Sequence, residues 1–154
     1  MEPTADLPQL AAREAVRDLV ARYTWAGDGG RSAELAGLFH PDGVLDVGEH
    51  GGRWSGRTEI EAQLDAVAAR VAVAGPGPGP VRHHVSSLLV DVTSPTAATA
   101  SSYFLVLTAI GVDHWGRYRD QVAVDPADGA WRFVERRVRV DGHAEGSLLV
   151  PSGR

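Results

Sequence analysis

The stretch GRYRDQVAVDPADGAWRFVERRVRV, residues 116 to 140, decides the fold class. Two runs rich in valine and aromatic residues flank DPADG, whose Pro, Asp and Gly favour a chain reversal. The stretch therefore predicts an antiparallel hairpin whose register can be counted. If Asp125 opposes Trp131, then Val124 opposes Arg132 and Val122 opposes Val134. The same count sets Asp120 directly across from Arg136, between Tyr118 and Val138. Opposite charges facing one another across a ladder are mutually stabilising. On a face otherwise made of valines, either charge alone would be costly to bury. Two readings stay open for the pair: a structural ion pair, or the polar floor of a ligand pocket in which Arg136 meets a carbonyl or carboxylate. Arg137 and Arg139 fall on the opposite face, a solvated or oligomer-facing edge.

The β texture continues upstream. Strands are predicted at 81–92, 97–110, 115–125 and 130–141, divided by the turns TSPT, GVDH and DPADG. The first of them, within PVRHHVSSLLV at 80–90, carries adjacent histidines, and adjacent strand side chains point to opposite faces. A turn at 93–96 that pairs Val92 with Ala97 sets His83 opposite Val106 and His84 opposite Leu105. The His83 face then carries Val85, Leu89, Phe104 and Val106, which favours His83 inward. Whether Tyr118 and Asp120 share that face depends on the parity of the connection at 111–117.

The first half of the chain reads as helical. Val16, Leu19, Val20 and Tyr23 recur at helical spacing within residues 10–26, and GDGG at 27–30 ends the run. Ser32 can cap a short second helix through Leu35, Leu38 and Phe39, after which HPDG at 40–43 reads as a turn. VLDVGEHGGRW suggests a strand or small hairpin. Thr58 and Glu61 form a capping box for a third helix carrying Ile60, Leu64 and Val67 on one side. AGPGPGP at 74–80 is a loop, and its prolines lack the N–H donors of a phosphate cradle. The tail from Gly142 is expected to be loosely held, with LLV at 148–150 able to dock on a neighbour. Helices followed by consecutive strands give one α+β domain.

The chain has 154 residues, a formal charge of −5 and no cysteine. An acidic balance gives nucleic acid or an anionic membrane no electrostatic reason to bind. Lack of cysteine removes disulfides, thiolate metal sites and thiol nucleophiles. MEPTADLPQL has neither a basic leader nor an apolar h-region, so a cytoplasmic location is the expectation. Adjacent strand histidines do not make a metal site, and no His-x-x-x-His, G-x-S-x-G or strand-borne G-x-G-x-x-G occurs. His40, His50, His114 and His143 read as turn or surface residues.

Asp28 sits just past the end of the first helix, where the macrodipole disfavours negative charge and an apolar cavity mouth would raise its pKa further. By itself it reads as a Gly-Asp-Gly surface turn. Beside an inward histidine, it would fix the imidazole tautomer and support proton transfer. Tyr23, five residues earlier, could hydrogen-bond an oxygen where charge develops, or simply pack in the core.

Taken together, YTWAGDGG, LFHPDGVLDVG, G-x-W-x-G-R-T-E-I, R-H-x-V-S-S, GRYRD and W-R-F-x-x-R-R-V resemble the SnoaL-like group of the nuclear transport factor 2-like superfamily. The resemblance runs from about residue 10 to residue 141. It implies a cone-shaped α+β barrel, in which a strongly curved antiparallel sheet packs on about three N-terminal helices around a deep apolar pocket. Members include polyketide cyclases, scytalone dehydratase, bile-acid dehydratases and steroid isomerases. Many act without a cofactor, so neither cofactor nor metal is expected, and a homodimer or homotrimer is.

Carried onto this chain, the resemblance marks Tyr23, Asp28 and His83 as catalytic. Tyr118, Asp120, Arg136 and Trp54 become candidate substrate contacts. Scytalone dehydratase has a second histidine on the next strand, and residues 97–110 here contain none. The expected function is a cofactor-independent lyase or isomerase, such as a dehydratase or cyclase, acting on a hydrophobic ring-containing carbonyl compound of secondary metabolism. The alternative is a non-catalytic binder or assembly subunit, such as a ring-hydroxylating dioxygenase small chain. A filled cone would favour that alternative, and an open cavity lined by Tyr23, Asp28 and His83 would favour an enzyme.

Overall fold

A stripe of small and aliphatic residues builds the first element. Ala12, Val16, Leu19, Val20 and Ala26 are buried along α1 (Leu7–Asp28), one face of a 3.6-residue period. Asp6 caps it by accepting the Gln9 N–H at 2.9 Å, and the Gly29 N–H returns to Trp25 O at its other end. The computed structural model describes residues 6–49, 51–72 and 79–150. Along them follow α2 (Ser32–Gly37), β1 (Phe39–Gly48), β2 (Gly52–Ser55), α3 (Arg57–Ala72), β3 (Arg82–Ser94), β4 (Ala97–Thr108), β5 (Gly111–Val124) and β6 (Trp131–His143). Most of AGPGPGP, and His50, lie outside the described residues.

The strands form one six-stranded sheet in the order β2-β1-β6-β5-β4-β3. The α+β class is as expected, with two differences from a closed antiparallel barrel. β1 runs parallel to β6, so the sheet is mixed, and β2 and β3 remain open edges. Its inner face packs on α1, α2 and α3 around Val16, Phe39, Ile60 and Phe133, all without solvent exposure. Side chains of this kind each contribute about 1.5–3 kcal/mol when buried.

Local readings shift where tertiary contacts intervene. HPDG is not a turn but the start of β1, because Phe133 N–H donates to Leu38 O and draws the segment against β6. The third helix is capped by Glu59 rather than by a Thr58–Glu61 box: Glu59 reaches back to the Ser55 N–H at 2.7 Å. The C-terminal tail is not loose, and it docks on its own chain through Asp113, which leaves Val150 buried.

Bulges set the faces. At the DPADG end Val124 opposes Trp131 and Val122 opposes Phe133, one residue off the counted register. An irregularity between Gln121 and Val122 restores the count, so Asp120 does face Arg136. Similarly, Ser94 rather than Val92 pairs with Ala97, yet His83 still opposes Val106 and His84 opposes Leu105. The shift between Ser86 and Leu89, where Ser87 takes φ 52°, turns Leu89 outward, against its predicted place beside His83. Gly116 is forced by close approach, since a Cβ there would collide with Arg139 O on the neighbouring strand.

Candidate active site

The last residue of α1 and the second residue of β3 meet across the open end of the sheet. Asp28 accepts twice from one residue: from the His83 backbone N–H at 3.0 Å and from the His83 ring at Nδ1 at 2.5 Å. The carboxylate thereby clamps the strand and orients the imidazole. Because a carboxylate can only accept, Nδ1 carries the proton and Nε2 presents its lone pair. Burial pulls the Asp28 carboxyl upward, but the two His83 donors outweigh it and hold it below the usual carboxylate range. The rise expected from the helix end and cavity mouth is not the net outcome: burial raises the carboxyl, and the His83 hydrogen bonds with the nearby Arg82 charge bring it below its usual range. His84 points outward and is exposed.

His83 and Asp28 line a cavity of about 450 Å³. Aliphatic walls come from α3 and β1, including Leu45, Leu64 and Val67, and from Val138 on β6. That size lies within the range of small-molecule pockets. Tyr23 and Tyr118 also line it, and burial pushes both phenols above their ordinary pKa, so they remain protonated donors. Trp54 also lines the same cavity. Among the described residues no group of three or more His, Asp or Glu is placed to hold a metal.

Asp120 and Arg136 are elsewhere. The guanidinium makes a bidentate pair with the carboxylate, 2.9 Å on both bonds, with neither side chain exposed. Its carbon lies 4.2 Å from the Tyr23 ring centroid, 4.0 Å from Tyr118 and 4.5 Å from Phe133. Neither Asp120 nor Arg136 lines the cavity, so their placement as substrate contacts is corrected: they form a floor beneath the two tyrosines. A planar cation fits between aromatic faces where a substrate cannot reach.

His114 departs from its sequence reading. It is not a surface turn but a buried cavity-lining side chain, its ring centroid 6.4 Å from that of His83. β5 begins at Gly111, earlier than GVDH suggests. Counting back by twos from Asp120 through Tyr118 and Gly116 reaches His114, and that alternation was the available signal. Asp113 is the extra residue of a bulge opposite Val106 and Leu107, so two neighbours both turn inward.

A family model for the SnoaL-like domain matches residues 8–137. The chain belongs to the SnoaL-like domain family. No curated protein matches in sequence. Among solved structures, a Catenulispora acidiphila protein in complex with S-DNPA is 31% identical, with 86% of this chain and 96% of that one covered and a TM-score of 0.73. A single-residue variant of Rv3472 from Mycobacterium tuberculosis, a protein of unknown function, is 29% identical over 86% of this chain and 73% of that one, at TM-score 0.72. A Novosphingobium aromaticivorans protein provisionally described as a scytalone dehydratase is 25% identical over 96% and 97%, at TM-score 0.72. The SnoaL-like family includes dehydratases and isomerases. Among the described residues no helix is long and apolar enough to cross a membrane.

Proposed function

We propose that this chain is a cofactor-independent acid–base lyase or isomerase acting on a hydrophobic, ring-containing carbonyl compound. The carrying observation is the 2.5 Å contact between His83 Nδ1 and Asp28 at the wall of an apolar cavity. His83 Nε2 takes a proton from the carbon next to the carbonyl. Asp28 holds the tautomer and stabilises the imidazolium that results. Tyr23 or Tyr118 donates to the oxygen on which the enolate charge collects. The proton then leaves His83 in one of two ways. It joins a β-hydroxyl, so that the C–O bond breaks, water departs and a C=C bond forms, or it returns to another carbon of the ring.

An open, lined cavity supports this reading over the assembly-subunit alternative. Acid–base help of this kind contributes about 10²–10⁴-fold, with the balance coming from positioning and oriented hydrogen bonds. The test is turnover of a panel of hydrophobic cyclic β-hydroxyketones by the unmodified chain, His83→Ala and Asp28→Asn. Conversion by the first alone supports the mechanism, and equal conversion by all three removes it.

A further inference from the structure

His114 carries a carboxylate of its own that the proton transfer above does not use. Asp113 has no solvent exposure, and its two oxygens take four donors. These are Thr108 Oγ1 at 3.1 Å, Ser147 Oγ at 2.6 Å, the Leu148 N–H at 2.8 Å and His114 Nδ1 at 2.8 Å. Against burial, which acts first and upward, these donors hold the Asp113 carboxyl below its ordinary range, so it stays an acceptor. The Nδ1 proton of His114 is therefore committed to Asp113. Burial lowers the His114 pKa, more than Asp113 raises it, and leaves the ring neutral near pH 7.

A neutral ring with Nδ1–H has a bare lone pair at Nε2. Among the described residues Nε2 has no hydrogen-bond partner, and the His114 side chain lines the cavity. Only a donor can satisfy it. The ring stands edge-on to His83, with Phe104 beside both. The same Asp113 ties down the tail whose Leu149 and Val150 complete the cavity wall, so the acceptor and the wall share one anchor.

We propose that His114 Nε2, oriented by Asp113, is a second ligand-contacting point of this cavity and accepts a hydrogen bond from a hydroxyl group on the ring compound bound there. This deepens the proposed function and rests on the cavity being a small-molecule site. It narrows the ligand class to ring compounds that carry a hydroxyl group able to reach His114. Hydrocarbons, ethers and carbonyls lacking a donor would leave Nε2 bare.

The probes are 2-naphthol and its methyl ether, which differ only in the donor. Calorimetric titration of the full chain is expected to show the naphthol binding about tenfold tighter, the size of one hydrogen bond. In His114→Phe the two probes should bind within about twofold of one another, while a change at the exposed His84, His84→Ala, keeps the preference. Histidine ¹⁵N NMR of the unmodified chain supplies a readout independent of any variant: naphthol, and not the ether, should shift the His114 Nε2 resonance. Equal affinities for the two probes, a preference that survives in His114→Phe or vanishes in His84→Ala, or no binding of either probe overturns the inference. The proton-transfer reading stands or falls separately, on the turnover of the His83 and Asp28 variants.

Discussion

Two carboxylates on this molecule each hold a nitrogen base, and they do opposite work. Asp120 grips Arg136 with two 2.9 Å bonds where neither side chain meets solvent. Asp28 grips His83 at 2.5 Å where the imidazole keeps about a quarter of its exposure, at a cavity wall. The first pair cannot exchange a proton, because a guanidinium stays charged and three aromatic rings enclose it. The second pair can, because an imidazole, unlike a guanidinium, can take up a proton on its second nitrogen and release it again, and this one lines the cavity. A carboxylate gripping nitrogen donors thus yields a structural post in one place and a reactive group in another, with the partner's chemistry and its access making the difference.

The comparison breaks most directly at its reactive half. His83→Ala should lower turnover by about 10²–10⁴-fold, with stability changed by about 1 kcal/mol or less, since one part-exposed hydrogen bond is lost. Steady-state rates beside a denaturant titration check both. At the sealed half the pattern should invert. Arg136→Met strands the Asp120 carboxylate and should cost about 3–5 kcal/mol, whereas the double change Arg136→Met with Asp120→Leu should recover much of it. A single variant as stable as the parent would show that burial of the pair is not what the geometry indicates.

A smaller effect is pH-dependent. The unfolded chain protonates His114 near its ordinary 6.5, before the folded one does, so stability should fall as pH drops through 6.5 toward the lowered folded value. A second fall should begin below about pH 4, where the unfolded carboxyls of Asp28 and Asp113 bind protons that their folded counterparts refuse. Thermal midpoints between about pH 8 and 3 record both, and His114→Phe should flatten the first and, by taking away one of the Asp113 donors, shrink the second. The smallest expected change is at Ser87, whose φ of 52° suits glycine. Ser87→Gly should be neutral to stabilising, by up to about 1 kcal/mol, and should leave the His83 register intact by NMR.

The sealed pair was legible because it is local to a hairpin: Asp120 and Arg136 are sixteen residues apart across one turn. Even there the count succeeded through an irregularity near Val122 that nothing in DPADG announces. The reactive pair spans fifty-five residues and joins a helix end to a strand, so no ladder count could bring its members together. The family resemblance marked them, and the fold carried them into contact. His114 escaped notice because GVDH has turn-forming residues, while its burial depends on a bulge at Asp113 and on a tail that returns from residue 147.

By itself the sequence determined most element types, the α+β class and the inward face of β3 at His83, since each follows from periodicity and pairing between near neighbours. Only the tertiary structure decided which of these polar groups meet a ligand. Access to a cavity is a property of everything packed around a side chain, and bulges of one residue, which composition does not encode, choose the face it turns to.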